Sequence, residues 1–243
     1  DRTHPTGTPF GPDSPHRNTI RTGLTPPEPS APLFAPACVL PVMGLFDGIR
    51  EALGVRAEAD ATQDADPEDL FGMSTAYVTM EADLGYAPAG QAALCFSDVD
   101  STDFRDAVDE VHAILEAGEE ETGTKAHART DAKGYSWVVL EDDDFEDLVT
   151  SVHFAADTFV EEGYGSRLLA VLFAFEKGGD YDYWVYSFRR GAYYPFAPRA
   201  GKDRDSGAEF KLESNLDGEL DLEGDKEYWY PLWPDRPGRH PWD

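Results

Sequence analysis

The chain has 243 residues and a net charge of −28, with 48 acids against 20 Lys and Arg. So anionic a surface repels phosphate backbones and anionic lipid, which excludes nucleic acid as a partner and leaves at most peripheral contact with a membrane. Its two cysteines, Cys38 and Cys95, can build neither a disulfide framework nor a zinc set, and no apolar run approaches the ~20 residues of a bilayer span.

Residues 1–42 carry three Arg (Arg2, Arg17, Arg21) and three acids (Asp1, Asp13, Glu28), so the whole net charge falls on residues 43–243. They also hold 10 of the 18 prolines, a composition foreign to the rest. We read 1–42 as a disordered, Pro-rich leader outside the functional fold, with Met43 as the native start. Downstream, the acids are dispersed along nearly every exposed-looking stretch. That pattern stays hydrated in concentrated salt, and a halophilic archaeal cytoplasm is the expected setting.

Residues 43–68 read as a short amphipathic helix and an acidic linker. Phe46, Ile49 and Leu53 share one face before Gly54 stops the helix, and the face is a candidate for partner contact. Lipid docking is weakened because Arg50 is the helix's sole cation.

A single domain is expected over 69–234. Ser74–Glu81 and Gln91–Phe96 read as strands; Asp100 or Ser101 caps a helix running to about Ala117. Lys125–Thr130 and Tyr135–Leu140 form a hairpin around Asp131 to Gly134. A second helix runs from Asp144 to Gly163 with Phe145, Leu148, Val152, Ala155, Ala156 and Phe159 inward. Arg167–Glu176, Tyr181–Arg189 and Gly191–Phe196 come next as strands, and 206–223 fits helix or strand. Residues 235–243 read as a Pro-rich tail. The expected fold is α+β, two β-β-α units followed by a β-meander, with a mainly antiparallel sheet and helices packed on one face.

Chemistry has few footholds. The run Glu141 to Asp144, with Glu146 and Asp147, lacks the Gly-bearing loop of a calcium site, and acids at a helix start serve the helix itself. His153 falls near the inward face of its helix, where a histidine is usually a packing residue. A metal-dependent or hydrolytic enzyme using this cluster and His153 is the alternative reading. There is no nucleophile elbow and no phosphate-cradling loop. We expect no enzymatic activity, no cofactor and no bound metal.

Trp184 to Lys202 contains no acid at all and sets Arg189, Arg190, Arg199 and Lys202 among six aromatic residues. Arg and Tyr carry binding hot spots, so Arg189, Arg190, Tyr193, Tyr194 and Phe196 are the candidate partner-binding surface. The competing reading is a hairpin whose aromatic residues fill the core while the Arg residues neutralise neighbouring acids.

Three segments resemble one family: Asp142–Leu169 (DDDFEDLVTSVHFAADTFVEEGYGSRLL), Phe188–Pro198 (FRRGAYYPFAP) and Tyr228–Trp233 (YWYPLW). They are similar to the PspA-associated protein PspAB, and the opening MGLFDGI looks like that family's N-terminal helix. The resemblance spans roughly 43–234; Ser206–Glu223 and the loop after Pro198 match loosely. It implies a cytoplasmic accessory protein, peripheral to the membrane at most, beside a PspA-like coiled-coil protein of the envelope-stress response or a membrane-associated protease. A chaperone-like module that holds unfolded peptides is a further reading.

Overall fold

The computed structural model describes residues 65–97 and 102–243. The leader, the Phe46–Ile49–Leu53 helix face and the cap positions Asp100 and Ser101 lie outside the described residues. A helical run opens the described chain: a 3-10 turn over Pro67–Gly72, helix α1 over Met73–Thr79, and a π-turn over Met80–Leu84. The Asp66 carboxylate caps its start by accepting from the Glu68 amide, and Gly85 ends it at φ +67°. This corrects the expected Ser74–Glu81 strand. Alternating Ala76, Val78 and Met80 imitate a strand, but the buried set is Leu70, Met73, Ala76 and Met80, spaced at three and four. That side lies on the sheet, where the Trp184 indole donates to the Met80 sulfur at 3.1 Å. The first expected β-β-α unit is therefore helix–strand–helix.

Strand β1 spans Ala87–Phe96 and helix α2 Thr102–Thr122. The hairpin consists of β2 (Lys125–Thr130) and β3 (Ser136–Glu141). Its turn is tied by Asp131, whose carboxylate accepts from the amides of Lys133 and Tyr135 and from the Trp137 indole. Helix α3 covers Phe145–Glu161, and Asp144 accepts from the amides of Glu146 and Asp147. The remaining strands are β4 (Leu168–Lys177), β5 (Asp180–Ser187), β6 (Ala192–Phe196) and the short pair β7 (Pro198–Arg199) and β8 (Asp203–Arg204). Asp205 then caps helix α4, Ser206–Leu216, so the 206–223 region begins as helix.

Six strands form one antiparallel sheet in the order β2-β3-β1-β4-β5-β6. The expected α+β fold with helices on one face is what forms. The second face is not left to water. Leu94, Val171, Phe173, Trp184, Tyr186 and Tyr193 point into the helical layer, where α3 lies against both α2 and α1, and α4 sits over β6. Cys95, Trp137, Leu172, Tyr183, Val185, Tyr194 and Phe196 point to the opposite side, covered by Trp229, Leu232, Trp233 and Trp242. Burial on both faces explains why β4 is apolar from Leu168 to Phe175 without alternation.

The last nine residues, expected as a tail, return to the domain. Trp242 is buried near Trp137 and edge-on to Tyr183, and His240 stacks parallel to it at 4.7 Å. The Tyr183 hydroxyl and His240 Nδ1 share a 3.0 Å hydrogen bond. Prolines in this stretch shape an irregular cover that needs no ladder partners.

Candidate protein-contact surface

The acid-free segment becomes β5, β6 and their connections, and its register explains its composition. Trp184, Tyr186 and Tyr193 face the helices, while Tyr194 and Phe196 face the C-terminal cover. Tyr186 donates to the Asp69 carboxylate at 2.7 Å, and Tyr193 to the carbonyls of Asp69 and Leu70. The Tyr194 hydroxyl donates to the Tyr230 carbonyl while its ring stacks on Trp229, and Phe196 meets Trp233 edge-on. Burial raises the phenols of Tyr183, Tyr186, Tyr193 and Tyr194 far above their ordinary value, so these rings stay neutral.

The two arginines are engaged as well. Arg190 is buried, bonds the buried carboxylate of Glu223 through Nε and stacks 3.8 Å from the Tyr228 ring centre. Arg189 is half-buried and donates to the Ser166 carbonyl at 2.7 Å. Arg199 pairs with buried Asp182 at 2.6 Å, which also accepts from Tyr86 at 2.7 Å. Burial alone would lower the Arg199 pKa; the Asp182 hydrogen bond and charge outweigh it and raise the value. The expected surface of Arg190, Tyr193, Tyr194 and Phe196 is therefore interior, because a strand of a sheet covered on both faces has no wet side. Arg and aromatic residues serve here as an internal lining for a domain crowded with acids.

The acidic run is equally local. Asp144 caps α3, and Asp142 accepts from the Asp144 amide and from Thr124, whose hydroxyl also meets buried Ser151 at 2.8 Å. His153 stands nine residues past Asp144, about 13 Å along the helix axis, and is not brought to that run. Its Nε2 lies 3.5 Å from Glu68 and its ring 4.4 Å from that of Phe71. Among the described residues no group of three His, Cys, Asp or Glu is gathered to hold a metal.

What is exposed lies elsewhere. The large apolar side chains left open among the described residues are Phe71, Val78, Ile114, Phe154, Val160 and Phe210. All six belong to the helical layer or its lead-in turn. Phe71, Thr75, Val78 and Ala82 recur at four, three and four along the opening helical run, giving it an outer stripe. Phe154 is exposed on α3, one position after His153, the residue whose ring meets Phe71. Sequence reasoning missed this face because it read 74–81 as a strand, on which Phe71 and Val78 have no common side. One signal was available: Lys and Arg are absent from 57–104 and from 134–166, the stretches that build it.

Among the described residues these features define an α+β protein with four helices on an antiparallel sheet, a segment whose arginines bond within the domain, and exposed large apolar side chains on one layer. The chain belongs to the PspAB family, PspA associated protein B, whose family model matches residues 43–242. The match starts at Met43 and runs through Trp242, past the expected limit of 234. Comparisons with curated proteins and with solved structures find no match. No helix among the described residues is long and apolar enough to cross a membrane.

Proposed function

We propose that this protein is a non-enzymatic accessory protein of a PspA-type envelope-stress system, working in the cytoplasm near the membrane by binding a protein partner. The partner is a PspA-like coiled-coil protein or a membrane-associated protease. The observation that carries this reading is the placement of the exposed large apolar side chains on one layer, with the opposite face closed by the C-terminal segment. Exposed apolar groups on an otherwise charged surface support protein contact where they lie together, as Phe71 and Val78 do along one side of the opening helical run. The family's name supports association with PspA itself. The strongly acidic surface supports a cell of high ionic strength, where apolar contacts persist and exposed charges act on one another only at contact range.

The test is affinity capture by the tagged full chain from extract containing the membrane fraction, in concentrated KCl, with bound proteins identified by mass spectrometry. Enrichment of a PspA-like coiled-coil protein or a membrane protease over a control acidic protein is expected. A folded chain that enriches neither would refute the adaptor reading.

A further inference from the structure

We propose that the outer face built from Phe71, Val78 and Phe154 is the docking surface for a basic amphipathic helix presented by a protein partner. The proposal rests on the adaptor reading above and names the surface and the chemistry of its occupant.

The face is an elongated strip. Phe71 and Val78 are seven residues apart on a nearly continuous helical run, about 10 Å along its axis. Phe154 is exposed on the neighbouring helix α3, one position after His153, whose ring contacts Phe71. The two elements are held side by side by Tyr77, whose ring packs on Phe145 at 4.9 Å and whose hydroxyl donates to Glu146. Phe71, Val78 and Phe154 are 37%, 52% and 43% exposed, enough apolar surface to be worth covering. Apolar positions two helical turns apart fit the face of another helix.

Charge decides which helix. The exposed acids on these two elements are Glu68, Asp69, Glu81, Asp83, Glu146, Asp147 and Glu161. Neither 67–84 nor 145–161 contains a Lys or Arg. Among the described α-helices only Arg105 and Lys211 are basic; the other cations lie on strands, turns and the C-terminal segment. The complementary occupant has an apolar stripe flanked by Lys and Arg. Other occupants fit poorly. Anionic lipid is repelled, and a second copy of this face would set the same acids against each other. The chain's own 44–54 segment carries Asp47 and Glu51 against Arg50, so it is not complementary.

The probe is a fluorescein-labelled synthetic peptide of about five helical turns, with leucines on one face and Lys and Arg on its flanks. A second peptide replaces the flanking cations with Glu. Anisotropy titrations use the full chain, its Phe71→Ser/Phe154→Ser variant and a Phe210→Ser control, all checked for folding by circular dichroism. The basic peptide is expected to bind wild type and Phe210→Ser alike, and about tenfold or more weaker to the double variant. Its affinity should fall as KCl rises, and the Glu-flanked peptide should bind at least about tenfold less well. Equal binding by the double variant or by both peptides overturns the proposal. So does preferential binding to phosphatidylglycerol vesicles. Binding that appears only after Phe46→Ser/Leu53→Ser would assign the face to the chain's own N-terminal segment and likewise overturn it. Partner capture separates the two levels: a PspA-like protein retained by the double variant keeps the adaptor and removes this surface.

Discussion

Removing the Arg190 side chain tests the claim that the cationic segment is internal structure. Its guanidinium bonds the Glu223 carboxylate with both groups buried and stacks on Tyr228. Glu223 is also a tether for the return of the chain. Its backbone amide donates to the Tyr193 carbonyl, its carboxylate accepts from the Asp225 amide, and its carbonyl accepts from the Trp229 indole. Arg190→Ala strands that carboxylate in a dry site, and breaking one side of a buried pair costs about 3–5 kcal/mol. A domain holds only about 5–15 kcal/mol in total, so the variant is expected near the edge of folding. Replacing both partners, as Arg190→Met/Glu223→Leu, should cost less than Arg190→Ala alone, because no buried charge remains unpaired. Urea unfolding at fixed KCl, followed by tryptophan fluorescence, measures each term. A loss below about 1 kcal/mol for Arg190→Ala would refute the reasoning and return Arg190 to the surface. Arg189→Glu/Arg190→Glu would bring a second carboxylate against Glu223, so loss of partner capture by that variant would report unfolding and not a contact.

Trp242→Ala should cost about 3–5 kcal/mol by opening the sheet face it covers, read as a lower urea midpoint and weaker near-ultraviolet dichroism; an unchanged midpoint would mean that the terminal segment does not hold that face. Burial holds the His240 imidazole below its ordinary 6.5. The unfolded chain therefore takes the proton first: the contribution to stability is full above about pH 6.5 and is lost as pH falls through the folded value. His240→Gln should accordingly flatten the stability slope between about pH 7.5 and 5.5, and an identical slope would contradict the assignment. Gly90 has φ +67°, and a Cβ there would sit 3.0 Å from the Asp142 carbonyl oxygen, so Gly90→Ala should cost more than about 1 kcal/mol in urea unfolding.

Much of the secondary structure was legible because it is written in local chemistry. Helix α3 follows from Asp144 as cap, apolar residues at helical spacing and Gly163 as stop. The β2–β3 hairpin and the β4 to β6 meander follow from apolar runs broken by turn residues. The opening helix was not legible, since Ser74–Glu81 satisfies a two-residue and a three-to-four-residue pattern together. Only the packing of Met73, Ala76 and Met80 on the sheet chooses between them. The terminal residues were misread for a related reason: prolines exclude regular elements but do not exclude burial, and Trp242 needs a surface that exists only once β5 and β3 are assembled.

The candidate surface divides in the same way. The sequence by itself determined the charge, the family-bearing segments and the fact that the cations and aromatic residues of 184–202 are set apart from the acids. Whether that segment faces a partner or the interior depended on what lies over each side of β5 and β6. Those covers come from residues 66–80, from α4 and from 229–242, the first and last of them more than thirty positions away along the chain. Exposure is a property of the assembled layers, and no local pattern records which of two apolar faces will find its cover within the same chain.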